Sequence, residues 1–258
     1  MLGVIAGDVI GSTYERQPIK TTDFPLFGTS CRFTDDTVLT VATAAAILNG
    51  TSYGREYRDY ARRYPFAGYG ALFHNWMQGD DTAPYNSWGN GSGMRVAPVG
   101  FAFSTVQTML REATRSAEVT HNHPDGVKGA QAIAFAVFKA RTGATKEQIR
   151  RAVSRRFGYN LDRTLDSIRP TYYFDVSCEG SVPEAILAFL ESNDFEHAIR
   201  LAISLGGDSD TLAAMTGGIA QAFYGEIPAT IVDEALARLP ADFVAVIEEF
   251  EQQFSVKR

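Results

Sequence analysis

Apolar positions recur at helical spacing along most of this chain. Residues 36–49 carry Val38, Leu39, Val41, Ala42, Ala45, Ile47 and Leu48, and their alanine run favours helix intrinsically. Gly50 stands where a left-handed residue would end that helix. The same spacing predicts helices over 54–64, 103–117 and 126–140, the last with Ala130, Ile133, Ala134 and Val137 on its apolar side. A further helix over 145–157 opens with Thr145 and Gln148 three residues apart, as in a capping box. Towards the C-terminal end the pattern gives 182–191, 195–205, 208–224 (closed by Gly225), 228–239 and 241–254.

Strand character is confined to 170–176 (PTYYFDV), too short and isolated to define a sheet. The predicted fold class is all-α. Residues 68–98 form the most loop-rich stretch, and its length points to a binding loop rather than a passive connection. Residues with chemical potential lie near both ends and must meet to act together, which predicts one compact domain over 1–258.

Composition narrows the function classes. A net charge of −6 gives no general electrostatic case for nucleic acid or an anionic membrane. The basic run Lys146, Arg150, Arg151, Arg155 and Arg156 reads as a solvated helix face. Cys31 and Cys178 form neither a disulfide framework nor a zinc-type spacing. The opening MLGVIAGDVIGSTYERQ has no basic leader and carries Asp8 early, and no apolar run approaches the ~20 residues that span a bilayer. The expectation is a soluble protein of the cytoplasm.

Two acidic knots sit at predicted helix starts: Thr34-Asp35-Asp36-Thr37 and, after Gly206-Gly207, Asp208-Ser209-Asp210-Thr211. Each alone is explained by capping, since Asp, Ser and Thr are favoured N-caps and acids complement the helix dipole. One cap needs one carboxylate, however, and each knot has two with hydroxyls beside them. Four carboxylates brought into one pocket would repel unless a cation neutralised them. Carboxylate with hydroxyl oxygen is a hard ligand set suited to Mg²⁺ or Mn²⁺. A third acidic stretch, GDVIGSTYE (7–15), holds Asp8 and Glu15.

At these residues the chain resembles the ADP-ribosylglycohydrolase family. The resemblance spans most of the chain and rests on GDVIGSTYE (7–15), FTDDT (33–37), GNGSGMRVAPVG (89–100), THNHPDGVKGA (120–130) and LGGDSDTLAAMTGGIAQAFYG (205–225), in the family's order. It implies a compact all-α fold with two Mg²⁺ or Mn²⁺ ions. Thr34, Asp35 and Asp36 would hold one ion, and Asp208 and Thr211 the other, with Asp210 bridging. Glu15 matches the family's glutamate near the metals. Asn90, Gly91, Ser92, Gly93 and Met94 would lie along the distal ribose and diphosphate, and His121 would contact substrate. Two departures stand out: Gly93 where many relatives have alanine, and Gln221 in place of a common glycine. Residues 163–180 match no motif.

The implied reaction is hydrolysis of the bond between the anomeric carbon of ADP-ribose and a modified protein side chain, through an oxocarbenium-like state and a metal-held water. Asp35 or Glu15 is the candidate base. The arginine linkage is favoured by analogy with bacterial members, with serine, nucleic-acid base or small-molecule linkages as alternatives. A catalytically silent ADP-ribose binder and a prenyl-diphosphate enzyme are rival readings. For the other notable residues, His121-x-His123 reads as a helix-start or substrate feature before Pro124, His74 and His197 as surface or packing residues, and Asp80-Asp81 as a solvated turn. Trp76, Trp88, Tyr173 and Phe174 compete as a stacking surface for adenine.

Overall fold

Gly3, Gly7 and Gly11 recur every fourth residue, which aligns them on one face of a helix. The computed structural model describes residues 1–257 and shows helices joined by turns, with no strand among those residues. In chain order the helices are α1 (Leu2–Gly11), α2 (Asp35–Asn49), α3 (Tyr53–Arg63), α4 (Ala71–Gln78) and α5 (Gly91–Met94). These are followed by α6 (Ala97–Ala102), α7 (Val106–Glu118), α8 (Pro124–Arg141), α9 (Lys146–Phe157) and α10 (Leu165–Ile168). The last five are α11 (Cys178–Glu191), α12 (Phe195–Ile203), α13 (Ser209–Tyr224), α14 (Ala229–Leu236) and α15 (Ala241–Gln253).

The glycine stripe of α1 lies directly on α13. A Cβ at Gly3 would fall 2.4 Å from the Gly217 carbonyl oxygen, one at Gly7 2.1 Å from that of Ala213, and one at Gly11 2.5 Å from that of Ser209. Position rises along α1 as it falls along α13, so the two helices run antiparallel with their backbones in contact. Every residue of α1 is buried. Gln221, which departs from the family's usual glycine, has a structural task here: its Oε1 accepts from the Gly3 N–H at 2.8 Å and its Nε2 donates to the Lys257 carbonyl at 2.7 Å. Around this pair, α8 packs against α6, α7, α11 and α13, and α2 packs against α1, α3 and α15. Buried apolar residues from α1 to α15 form one connected core.

Most elements stand where the periodicity puts them, and the differences have local causes. The opening segment is a helix that periodicity does not reveal, because a helix buried on all sides has no polar face. The 68–98 stretch is not one loop: it contains α4, α5 and the first two residues of α6, with 79–90 irregular between α4 and α5. Their small size hides them, since four to eight residues give too few turns for a period to show. Helix α8 starts at Pro124, and the His123 ring accepts from the Asp125 N–H at 3.2 Å, so this histidine is a helix cap. Helix α11 begins at Cys178, capped by Ser177, four residues before its apolar run. The 170–176 segment joins no sheet among the described residues; an isolated antiparallel bridge pairs Gly89 with Ser177, just beyond it. Cys31 and Cys178 are both free thiols. Among the described residues no helix is long and apolar enough to cross a membrane.

The α1–α13 contact generates a direct test. Gly7→Ala forces a methyl group onto the Ala213 carbonyl, where no flexible side chain can give way. Expected is a loss of about 2–3 kcal/mol or more in urea unfolding with little change in m-value, against about 0.5 kcal/mol or less for an exposed helix substitution such as Glu249→Ala.

Candidate active site

Antiparallel packing of α1 on α13 brings the end of the first helix to the start of the other, and α2 begins at the same place. Asp8 is the joint. Its carboxylate accepts from the Thr34 N–H at 2.9 Å, the Thr34 hydroxyl at 2.7 Å, the Thr37 N–H at 3.1 Å and the Thr37 hydroxyl. A residue on α1 therefore caps α2, satisfying N–H groups that a helix start leaves orphaned. Burial pushes the Asp8 carboxyl up to about 6 against the opposing pull of these bonds. Sequence reading placed Asp8 in an acidic stretch without assigning it a role. A lone carboxylate on a helix otherwise free of charge was the available signal.

Around this joint two acidic groups form. Asp8, Asp36 and Asp210 can bring carboxylate oxygens within 4.8 Å of one another, and so can Glu15, Asp208 and Asp210. Asp210 belongs to both. At that separation two full charges repel by about 3 kcal/mol at an effective dielectric of about 20. Burial raises Asp36 and Asp210 well above the usual carboxylate range, and their acidic neighbours raise them further. Asp208 is also raised by burial, although the Asn90 amide donates to its Oδ2 at 2.7 Å. The Thr211 hydroxyl reaches Asp36 Oδ2 at 3.3 Å. Asp36 Oδ1 is buried and has no hydrogen-bond partner among the described residues. An orphaned carboxylate oxygen amid all-oxygen donors fits a hard divalent cation, which would supply the missing partner and offset the repulsion.

The remaining expected residues divide. Asp35 lies in neither acidic group; its N–H donates to the Ala67 carbonyl at 2.9 Å and its carboxyl faces the cavity. Burial first, and Asp8 second, push it up to about 8. Above this acidic floor opens a cavity of about 610 Å³, in the range of small-molecule sites. Asn90, Gly91, Met94 and His121 line one wall. Ser92 and Gly93 do not: the Ser92 hydroxyl donates to the Gly126 carbonyl at 2.7 Å, and Gly93 packs towards Met215, Val182 and Ile133. A short helix has two sides, and these two residues occupy the core side.

Trp88 (50% exposed) and Phe174 (49%) stand at the cavity rim, while Trp76 is buried beneath the Arg58 guanidinium. Tyr173 is exposed and outside the lining. The unmatched stretch 163–180 supplies part of this rim. It is held by the Lys20 amine, which donates to the carbonyls of Tyr172 and Leu205, and by the Tyr172 ring against Gly207. Asp80 and Asp81 are exposed, as are His74 and the basic residues Arg151, Arg155 and Arg156.

Comparison with known proteins identifies the family. The family model described as ADP-ribosylglycohydrolase matches residues 1–256. The chain is similar to ADP-ribosylhydrolase ARH3 of Gallus gallus, with 26% identity covering 88% of this chain and 84% of that protein. Its identity to the Homo sapiens protein of the same name is 27%, covering 87% and 84%. ADP-ribosylarginine hydrolase Tri1 of Pseudomonas putida (strain GB-1) is 32% identical over a shorter region, 53% of this chain and 38% of that protein. A solved structure titled ADP-ribosylglycohydrolase-related protein complex superposes with a TM-score of 0.68 at 25% identity, covering 99% of this chain and 93% of that one. The chain therefore belongs to the ADP-ribosylglycohydrolase family, as an enzyme that hydrolyses ADP-ribose linkages.

Proposed function

We propose that residues 1–258 act as a single domain that, with two divalent cations, releases ADP-ribose from modified protein side chains, arginine-linked in preference to serine-linked. The observation that carries this reading is the pair of acidic groups sharing Asp210 at the floor of a ligand-sized cavity. Asp36 and Asp210, with Thr34 and Thr211 close by, would hold one ion, and Asp208, Asp210 and Glu15 the other. Mg²⁺ and Mn²⁺ both suit the donor set. When bound, such ions neutralise the carboxylates, grip vicinal ribose hydroxyls and acidify water.

The protein's own groups then have distinct tasks. Asn90 fixes the Asp208 carboxylate through its 2.7 Å hydrogen bond. Gly91, Met94 and His121 face the diphosphate-bearing part of the ligand, and the apolar Leu39, Met94 and Phe73 exclude water around the bond to be broken. Asp35 takes the proton of the attacking water, because it lies outside both acidic groups and its carboxyl remains uncommitted. The preference for arginine rests on charge: a guanidinium entering this end meets Glu15 and Asp35, whereas serine brings no cation. The name of the Pseudomonas relative, an ADP-ribosylarginine hydrolase, points the same way.

Two measurements test the proposal. Incubation with arginine-linked and serine-linked ADP-ribosyl peptides should give free ADP-ribose mainly from the former, and a chelator should stop it. Asp35→Asn should lower kcat by about 10²–10⁴-fold, as for loss of a general base, and Asp210→Asn should abolish turnover. Chelator-resistant release would remove the cation from the mechanism, and ADP-ribose binding without release from either peptide would replace the enzyme with a binding protein.

The second measurement is thermal stability against pH. Asp8 and Asp35 titrate near 6 and 8 in the folded chain, above their ordinary 3.8, so ionising them opposes folding. Their protonated forms carry no such penalty. Without cations, stability should therefore fall as pH rises from about 5 to 8. Millimolar Mg²⁺ should raise Tm by several degrees at the upper end and by much less at the lower end. A Tm indifferent to Mg²⁺ at pH 8 would count against the cation site.

A further inference from the structure

Arg95 is fully buried and makes no ion pair among the described residues. Its guanidinium lies over the Tyr57 ring at 4.2 Å, and Nη2 donates to the Ser116 carbonyl at 3.2 Å and the Thr120 hydroxyl oxygen at 2.8 Å. Arginine has only donors, so Thr120 Oγ1 is obliged to accept from it. On its other side Thr120 Oγ1 lies 2.7 Å from Nδ1 of His121. Thr120 is itself fully buried, and its single hydroxyl proton needs an acceptor. His121 Nδ1 provides one when it carries no proton. The neutral ring then has its proton on Nε2. Tyr85 lies alongside, its ring centroid 6.0 Å from that of His121.

The ring's far side is open. His121 lines the cavity, and its Nε2 makes no hydrogen bond among the described residues. That atom is close to two glycines: a Cβ at Gly91 would lie 3.1 Å from it and one at Gly89 3.6 Å. Burial and the Arg95 charge both hold the ring neutral, well below the usual histidine range.

We infer that Thr120, anchored by Arg95, is a positioning residue that fixes His121 as the tautomer protonated on Nε2, presenting a neutral hydrogen-bond donor to the cavity beside Gly89 and Gly91. The Arg95–Thr120–His121 chain of contacts supports this tautomer independently of the substrate. Its consequence rests on the function proposed above: the ligand atom at this wall must be an acceptor, such as a phosphate or ribose oxygen. The cavity is thereby polarised, with carboxylates drawing cations and donors to its floor and a fixed donor drawing acceptors to its wall. A ligand carrying an N–H or ammonium group at this wall would be rejected, since neither partner could accept.

The test is the ¹⁵N spectrum of the imidazole in the full chain. Expected is one histidine, assigned to His121 by its loss in His121→Gln, with a bare Nδ1 and a protonated Nε2 from about pH 6 to 8. Thr120→Val, nearly isosteric, removes the acceptor and donor together, and should shift His121 towards mixed or Nδ1-protonated forms. Its Kd for ADP-ribose should rise by roughly tenfold, as for one lost hydrogen bond. Thr120→Ser should recover the tautomer and most of the affinity. An Nδ1-protonated ring in the unmodified protein overturns the inference, and so does an unchanged tautomer in a folded Thr120→Val protein. The spectrum decides this point whether or not ADP-ribose binds, whereas absence of ADP-ribose binding to the unmodified protein bears on the functional reading.

Discussion

Backbone contact between α1 and α13 is the constraint on which the site depends. Gly3, Gly7 and Gly11 allow the helices to approach so closely that a single methyl group would collide with a carbonyl. At that spacing neither helix can turn or slide without a clash, so the register between them is fixed. Asp8 and the Asp208–Asp210 knot are consequently held at one end of the pair, and α2 is fastened there through Asp8. The chemistry is placed by chain segments that have no freedom to place it elsewhere.

The carboxylates at this end fall into two kinds, and their hydrogen bonds tell them apart. Asp8 is answered by four neutral donors from Thr34 and Thr37, and it holds structure together. Asp36 keeps a buried oxygen with no partner among the described residues, and Asp208 and Asp210 face one another across a short distance. A fold that satisfies one acid completely and leaves an oxygen of its neighbour Asp36 unanswered is set up for a ligand rather than for stability. Asp35 completes the picture as a carboxyl facing the cavity without a place in either group.

How much of this the sequence disclosed depended on contrast. Amphipathic helices such as α7, α8 and α15 were visible, since one side of each is polar. Helix α1 was invisible to the same test because burial on every side erases the period, although its glycine spacing was there to be read. The short α4, α5 and α6 had too few turns. Within the site, the residue types of the two knots and of Glu15 were legible, and the fold brings them together. Side-chain direction was not: nothing in the spelling of Asn90-Gly91-Ser92-Gly93 separates the residues facing the cavity from those facing the core. Thr120 was likewise silent, because its position matters only once Arg95 and His121 are seen on either side of it.

The partnership of α1 and α13 also shapes how the protein comes into being. Some 200 residues separate Gly7 from Ala213, so at a synthesis rate of about 5–20 residues per second the first helix waits roughly 10–40 seconds for its partner to be made. Until then α1 is an apolar segment with nothing to cover its glycine face, and the carboxylates that form the floor of the cavity are strangers in solution. A contact of such long range is among the slowest to form. Assembly of the acidic centre thus falls late in folding, and no chain that still lacks α13 can hold it.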